Sequence, residues 1–330
     1  MNYNFKNLVF EGGGIKGIAY GGALEILDTM NILPGIQRVA GTSAGAINAT
    51  MLALGYTSAE VSKIIAETNF KDFEDGNIFN EVIGITQKYG WYKGDKFKDW
   101  IGKYIKAKTG NSEITFKEFA LQAKEKGFRQ LYVVSTNLTR QQALIFSHEP
   151  NHFPDTPIKE AVRMSMSIPL YFQSVSKNNE IWVDGGVSWN YPLNIFDNTS
   201  YLTKPNNGEM VDYNTDPGFV FNHETLGFRL DSTQVIEYNK DNWKNEPVVI
   251  NNIKDYALGL VNFMMEMANK KHLHQNDWNR TIFIDTLDVK TTDFNLSPAK
   301  IQQLIASGKT GVTQYFNWRG ADPKWSQLPV

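Results

Sequence analysis

The sequence predicts an α/β fold in three layers, with a central, mainly parallel β-sheet between layers of helices. In the first fifty residues, two short apolar runs at 7–10 and 38–40 alternate with two alanine- and glycine-rich helical stretches at 17–30 and 44–54. A strand–helix–strand–helix order brings the two strands side by side in parallel and places helices on the faces of the sheet. Gly55 is suited to end the second helix.

The later elements fit the same class of fold. Residues 58–126 are expected to be largely helical, and residues 198–225, which are rich in Asn, Thr, Gly and Pro, to form a long loop. Further strands are predicted at 131–135, 143–146, 181–183 and 282–285, and further helices at 158–166, 253–271 and near 298–306.

Domain organisation follows from the absence of a linker. No Pro-, Ser- or Gly-rich stretch divides the chain, so we expect a single domain over 1–330. Its motif-bearing core covers about 5–230, and about 231–330 is expected to pack on that core or to form an extension of it.

Composition narrows the classes of function. Hydrophobic residues make up 42% of the chain, which is enough for a sizeable core and argues against disorder. The formal net charge is -2, from 33 basic and 35 acidic residues, which gives no reason to expect a nucleic-acid partner. The chain contains no cysteine, so disulfides, thiolate metal sites and cysteine catalysis are excluded.

Signals for secretion or membrane insertion are not evident in the sequence. The first residues lack the basic and apolar regions of a secretory signal, and no apolar run approaches the roughly 18–20 residues of a membrane-spanning helix. We therefore expect a cytoplasmic or peripheral membrane protein.

A glycine-rich loop, 12–17, follows the first strand and opens the first helix. It fits the G-x-G-x-x-G dinucleotide fingerprint, but the second strand ends in Ala-Gly-Thr-Ser and offers no acidic residue for a ribose. The alternative is an oxyanion hole, because consecutive glycines let backbone N–H groups converge on one point. Lys16 would then meet an anionic group such as a lipid phosphate, or would simply be solvated.

A serine elbow follows the second strand. Gly41-Thr42-Ser43-Ala44-Gly45 matches G-x-S-x-G and lies between a strand and an alanine-rich helix, where a nucleophile elbow is found. The helix directs its N-terminus at the serine and favours negative charge there. The structural alternative is that Ser43 only caps the helix.

The usual histidine base has no obvious candidate. The chain has five histidines, and none lies in a site motif. The α/β-hydrolase order does not fit either, because only one complete strand precedes the strand that leads into the elbow. Asp184 ends an apolar strand and precedes Gly185 and Gly186, and an acid at the end of a parallel strand would face the ligand crevice. The alternative for Asp-Gly is a tight turn.

Together the three motifs resemble the patatin-like phospholipase family, with its G-G-G-x-[K/R]-G loop, G-x-S-x-G elbow and distant D-G-[G/A] acid. This chain has them in that order, and segments 89–94 and 163–172 are also similar to the family. The likeness covers about 5–230, which leaves 231–330 as a possible family-specific extension. Glu11 stands where the family often has Asp, a difference from which we expect little effect.

The resemblance implies a patatin-like fold and a lipid acyl hydrolase with a catalytic dyad, Ser43 and Asp184. It implies an oxyanion hole from the amides of Gly12, Gly13 and Gly14, with no metal and no cofactor. The residues expected to support the motifs are Lys16, Gly17, Gly41, Gly45, Gly185 and Gly186.

The implied substrate is a phospholipid or another fatty acyl ester, with peripheral membrane contact and no nucleic acid. The apolar, Met-rich stretch 260–267 would line an acyl groove, touch a membrane or pack in the core. Three alternatives remain: a nonspecific carboxylesterase, a nucleotide-binding oxidoreductase, and a non-catalytic lipid-binding or signalling module on the same fold.

Overall fold

The structure is a computed structural model that describes residues 3–76, 89–210, 218–232, 250–272 and 275–321. Parts of the predicted helical stretch 58–126 (residues 77–88) and of the predicted loop 198–225 (residues 211–217) lie outside the described residues. His274 lies outside them as well.

The strands, in chain order, are β1 Asn7–Phe10, β2 Arg38–Thr42, β3 Gly90–Tyr92, β4 Gln130–Asn137, β5 Gln142–Phe146, β6 Leu170–Phe172, β7 Val175–Lys177, β8 Glu180–Asp184, β9 Gly208–Glu209, β10 Phe221–Asn222, β11 Thr225–Asp231 and β12 Thr281–Asp285. The helices are α1 Ala19–Thr29, α2 Ala44–Ala53, α3 Ser58–Glu67, α4 Asp95–Thr109, α5 Phe116–Lys126, α6 Ile158–Ser165, α7 Gly186–Trp189, α8 Ile253–His272 and α9 Pro298–Ala321.

The main sheet has a parallel centre in the order β12–β11–β1–β2–β4. Antiparallel pairings complete it: β5 and β8 each pair with β4, and β7 pairs with β8. Helices flank this sheet, so the predicted class, a mainly parallel α/β fold, is confirmed.

The strands are apolar on both faces because both faces are covered. Leu8, Phe10 and Val39 point into the larger core, which the helices α1, α2, α6 and α9 help to fill. Val9 and Ala40 point the other way, into a smaller core with side chains from the segment 191–196. This burial on both sides explains why the strands are short continuous apolar runs rather than alternating ones.

The C-terminal part belongs to the same sheet. β12 pairs in parallel with β11, and α9 packs closely on α1, since a β-carbon at Gly22 or Gly308 would collide with the backbone of the facing helix. The helix predicted near 298–306 extends to Ala321. β11, which lies between β1 and β12, was not predicted from the sequence.

The strand that carries Asp184 was expected in a parallel sheet, and that expectation is wrong. β8 runs antiparallel to β4, with Asp184 opposite Ser135. β8 follows β7 through the tight turn at Asn178 and Asn179, both of positive φ, so the short hairpin makes β7 and β8 antiparallel. The direction of β8 in the sheet is set by its register with β4, which the sequence pattern does not encode.

Candidate active site

The turn at Ser43 joins β2 to α2 and is strained. Ser43 has φ 53 and ψ -126, a conformation that L-residues rarely adopt, and its side chain makes no capping hydrogen bond to α2. A β-carbon at Gly41 would overlap the backbone of Gly45, so the turn requires glycine there. The structure therefore contradicts the capping interpretation and presents Ser43 Oγ to one side of the turn.

Residues of the α6 end hold the serine in place, and sequence reasoning gave them no role. The Ser43 N–H donates to Ser165 Oγ at 2.8 Å, and the Ser165 hydroxyl donates to the Val134 carbonyl at 2.6 Å. Ser43 Oγ lies 3.4 Å from the sulfur of Met166. Through Ser165 the elbow is thus hydrogen bonded to β4, and through Met166 it contacts the segment that precedes β8.

The register of β4 explains how Asp184 reaches Ser43. β2 and β5 pair with the same β4 residues, Val133 and Val134, so they occupy opposite edges of β4. β5 and β8 likewise share Ser135, Thr136 and Asn137, so β8 lies on the same edge as β2.

The two strands on that edge meet head to head. β2 ends at Thr42 opposite Val134, and β8 ends at Asp184 opposite Ser135, the next residue of β4. The C-terminal ends of β2 and β8 therefore converge, and Ser43 and Asp184 come together although 140 residues separate them in the sequence.

The Asp184 carboxyl is fully buried, which changes its acidity. Burial raises its pKa from 3.8 to about 7, although hydrogen bonding from Ser43 and from the Gly186 N–H lowers it. Oδ1 accepts the Gly186 N–H at 2.8 Å. Asp184 and Gly185 lead into α7 rather than into a hairpin, so the tight-turn alternative does not hold.

The other carboxyl oxygen, Oδ2, is buried and has no regular hydrogen-bond partner among the described residues. The Ser43 hydroxyl lies near enough to the carboxyl to lower its pKa, while its regular hydrogen bond is donated to the Met166 sulfur at 3.4 Å. The bare oxygen is an acceptor ready for a proton.

The glycine loop lies next to these groups, but its three amides differ. The Gly12 N–H donates to the Asn190 carbonyl at 3.0 Å, so it is already used. Among the described residues, the N–H groups of Gly13 and Gly14 have no acceptor. Gly14 has φ +56, and a β-carbon there would collide with the Thr291 carbonyl oxygen. The candidate donors for an anion are thus Gly13 and Gly14 rather than all three glycines.

Asn190 connects the loops and was missed by sequence reasoning. It accepts the Gly12 N–H through its backbone, and its side-chain amide donates to the Gly12 carbonyl at 3.1 Å and to Glu11 Oε1 at 3.2 Å. Its neighbour Trp189 accepts a hydrogen bond from Thr42 Oγ1 at 3.0 Å. The end of α7 therefore fixes the glycine loop and the serine elbow relative to the acid.

Glu11 has a larger structural role than expected. Its buried carboxylate accepts the Leu230 N–H at 2.6 Å, and burial raises its pKa to about 7, while the positive charge of Arg229 opposes the rise. Arg229 also lies 2.9 Å from Asp231, and Lys16 is close enough to lower the pKa values of both acids. Lys16, half-buried, thus balances buried carboxylates as well as facing solvent.

The remaining motif glycines allow close approach. A β-carbon at Gly17 would come within 2.8 Å of Ala44, and one at Gly45 would overlap the end of β1, so the glycine loop and α2 are in contact. A β-carbon at Gly185 would collide with the Val134 carbonyl, and one at Gly186 with the Met265 side chain. These glycines bring the three motifs to one place.

Within the described residues, neither a histidine base nor a metal site accompanies Ser43. No histidine there hydrogen bonds to Ser43, and no cluster of three or more His, Asp or Glu side chains there is arranged to hold a metal ion. None of the helices within the described ranges has both the length and the apolarity needed to cross a membrane.

The fold defines the class of protein: an α/β protein whose mainly parallel sheet carries a strained serine beside a buried carboxyl. The solved structure of VipD from Legionella pneumophila has the same fold, with a TM-score of 0.57 and 17% identity over 96% of this chain and 67% of that one. A family model, patatin-like phospholipase, matches residues 8–197. The chain belongs to this family, whose members are in general lipid acyl hydrolases.

Two curated relatives are similar to this chain over much of its length. Protein R571 of Acanthamoeba polyphaga mimivirus is 30% identical over 312 residues, which cover 94% of this chain and 93% of the relative. The probable lipid hydrolase 463L of Invertebrate iridescent virus 6 is 29% identical over 192 residues, 58% of this chain and 63% of the relative.

Proposed function

We propose that this protein cleaves fatty acyl esters of lipids, with Ser43 as the nucleophile and Asp184 as its general base. The observation that carries the proposal is the head-to-head meeting of β2 and β8, which brings the two side chains together with Asp184 Oδ2 bare. The family assignment supplies the general class of reaction.

In the first half of the reaction, Ser43 Oγ attacks the ester carbonyl carbon while its proton moves to Asp184 Oδ2. The carbonyl oxygen becomes an oxyanion, held by the N–H groups of Gly13 and Gly14 and favoured by the N-terminus of α2. The C–O bond then breaks, the leaving alcohol takes the proton from Asp184, and the acyl group remains on Ser43.

In the second half, a water molecule attacks the acyl-serine carbonyl and gives its proton to Asp184. The second tetrahedral intermediate collapses, the fatty acid leaves, and the proton returns to Ser43 Oγ. At the end of the cycle Ser43 and Asp184 have returned to their starting protonation states, and one water molecule has been consumed.

The raised pKa of Asp184 suits it to this role. An ordinary aspartate near pKa 3.9 is a weak base toward an alcohol, whereas a carboxylate with a pKa of about 7 binds a proton far better and is still ionised at slightly alkaline pH. Each oxyanion donor is worth about 2.7–4 kcal/mol in comparable sites. The Asp184 carboxylate and the N–H groups of Gly13 and Gly14 together lower the activation barrier.

A phospholipid or another long-chain ester is the proposed substrate, met at a peripheral membrane contact and not on nucleic acid. Support comes from the family and from the relative named a probable lipid hydrolase. A nonspecific carboxylesterase, or a lipid-binding module without catalysis, would share the fold but differ in the experiments below.

Labelling with a fluorophosphonate, followed by a panel of lipid classes and short-chain esters, tests the proposal. We expect the probe to attach to Ser43, and fatty acid release to disappear in Ser43→Ala and Asp184→Asn. Ser147→Ala is the matched control, because Ser147 is equally buried but its hydroxyl hydrogen bonds to His152.

Three results would count against parts of the proposal. An Asp184→Asn enzyme with near-full rate would remove the dyad. A chain that hydrolyses only short-chain esters would favour the carboxylesterase. Binding of lipid without labelling of Ser43 would favour the non-catalytic module.

A further inference from the structure

Helix α8 contacts the candidate active site through one of its faces. Ala257, Val261 and Met265 are buried and recur every four residues, which places them on one side of the helix. Met265 packs against Gly186, which donates its N–H to Asp184. Ser43 and Asp184 have no solvent exposure, so a substrate can reach them only when the elements around them, here called the cover, move. Helix α8, which packs on Gly186, is one of these elements.

A different side of α8 exposes a continuous row of large apolar side chains, which we call the α8 stripe. Its members are between 40% and 75% exposed and recur at spacings of three and four residues, so they line one side of the helix. They are Ile253, Tyr256, Leu260, Phe263, Met264 and Met267. The Met-rich stretch 260–267 is therefore a surface helix with a buried edge, not a core helix.

The size of the stripe decides between possible occupants. Its ends, Ile253 and Met267, are fourteen positions apart, so it is about 21 Å long and one helix wide. A stable protein–protein interface uses about 20–30 residues on each side, far more than the six side chains of the stripe. Shallow insertion of one apolar helix side is, in contrast, the way amphipathic helices bind the boundary of a lipid layer.

We propose that the α8 stripe docks on the surface of a lipid aggregate, a bilayer or a micelle, and so places the cover of the active site against the substrate phase. The inference rests on the proposed function. Both faces of α8 support this proposal. The helix that contacts Gly186, beside Asp184, also presents six exposed apolar side chains to the outside.

The first experiment uses the absence of cysteine from the chain. Single-cysteine variants Phe263→Cys and Leu121→Cys are labelled with an environment-sensitive fluorophore and mixed with phosphatidylcholine vesicles. Leu121 is the matched control, since it is a comparably exposed apolar residue on α5. We expect a blue shift and quenching by lipid-borne quenchers at 263 and neither at 121. Equal responses at both positions would overturn the proposal.

The second experiment measures binding and turnover. We expect the double variant Leu260→Glu and Phe263→Glu to weaken sedimentation with phosphatidylcholine vesicles at least tenfold, because it places two carboxylates in the inserted side. The ratio of hydrolysis on vesicles to hydrolysis of a dissolved short-chain ester should fall by a similar factor. Leu121→Glu should bind like the wild type. Unchanged binding by the double variant would overturn the proposal.

The outcomes separate this inference from the proposed function. Vesicle binding through α8 without ester hydrolysis would retain the docking surface and refute the enzyme. Hydrolysis of vesicle lipid that is insensitive to the double variant would do the reverse. Sedimentation equilibrium adds one more outcome: a wild-type dimer that Phe263→Glu converts to a monomer would show a self-association face and overturn docking on lipid.

Discussion

Replacing Asp184 by asparagine removes a buried negative charge and keeps the local contacts. Oδ1 of the amide still accepts the Gly186 N–H. The new N–H₂ group replaces Oδ2, which has no regular hydrogen-bond partner among the described residues, and it can donate to Ser43 Oγ. The variant therefore isolates the free energy of ionising this carboxyl in the folded protein. We expect it to be inactive but more stable than the wild type above neutral pH.

The magnitude follows from the two pKa values. The carboxyl has a pKa of 3.8 when unfolded and about 7 when folded, so at pH 5 to 7 the unfolded chain is ionised and the folded chain is protonated. The folded state then binds more protons, so stability falls as pH rises, by about 1.36 kcal/mol per pH unit. Between pH 5 and pH 8 the wild type should lose about 2.7 kcal/mol relative to the variant, with no further loss above pH 8.

Urea denaturation at pH 5, 6, 7 and 8 measures this difference, because the other titrating groups, including Glu11, are common to both chains and cancel. Asp155→Asn is the control: its side chain is 83% exposed, and water solvates the carboxylate in both states. A stability difference between Asp184→Asn and wild type that stays constant from pH 5 to pH 8 would refute the burial argument.

Three more predictions concern the same loops. Activity of the wild type on a dissolved ester should rise about tenfold per pH unit below pH 7 and level off above it, since Asp184 must be ionised to accept a proton; a flat pH–rate profile would contradict this. Gly14→Ala should lower the free energy of unfolding by clearly more than Gly127→Ala, for which we expect a loss of roughly 1–2 kcal/mol. Both residues have positive φ, but only Gly14 also faces the Thr291 carbonyl. Equal losses in urea titrations would contradict the predicted clash. Ser43→Gly should be about 1–3 kcal/mol more stable than Ser43→Ala, because glycine relieves the strained φ of the elbow; thermal melts showing Ala as the more stable variant would exclude that strain.

The sequence predicted the regular parts of the fold because their signals are local. The strands β1 and β2 are short apolar runs and α2 is an alanine-rich stretch, and each is found where expected. β11 was missed, although it lies inside the sheet, because its sequence Thr-Leu-Gly-Phe-Arg-Leu-Asp mixes apolar, polar and charged residues. Its half-buried Arg229 is balanced by Asp231, two residues further on, and by Glu11, a partner that only the folded chain brings close.

The site shows the same division. Ser43, Asp184 and the glycines were selected from motifs, and the structure places them together, while their catalytic roles stay a prediction. Sequence reasoning did not identify Asn190, nor that it occupies the Gly12 amide, because these contacts join residues far apart in the chain. The direction of β8 was also beyond a motif, since it depends on the register with β4.

Because β2 and β8 meet on one edge of β4, this strand sets the distance between the two side chains of the candidate site. The serine and the carboxyl each take their position from adjacent residues of β4, Val134 and Ser135, and not from the length of chain between them. Insertions or deletions anywhere in the intervening loops can therefore accumulate without separating the two groups. A slip of β8 by two residues along β4 would move the carboxyl about 7 Å from Ser43 and abolish the proposed activity without unfolding the protein.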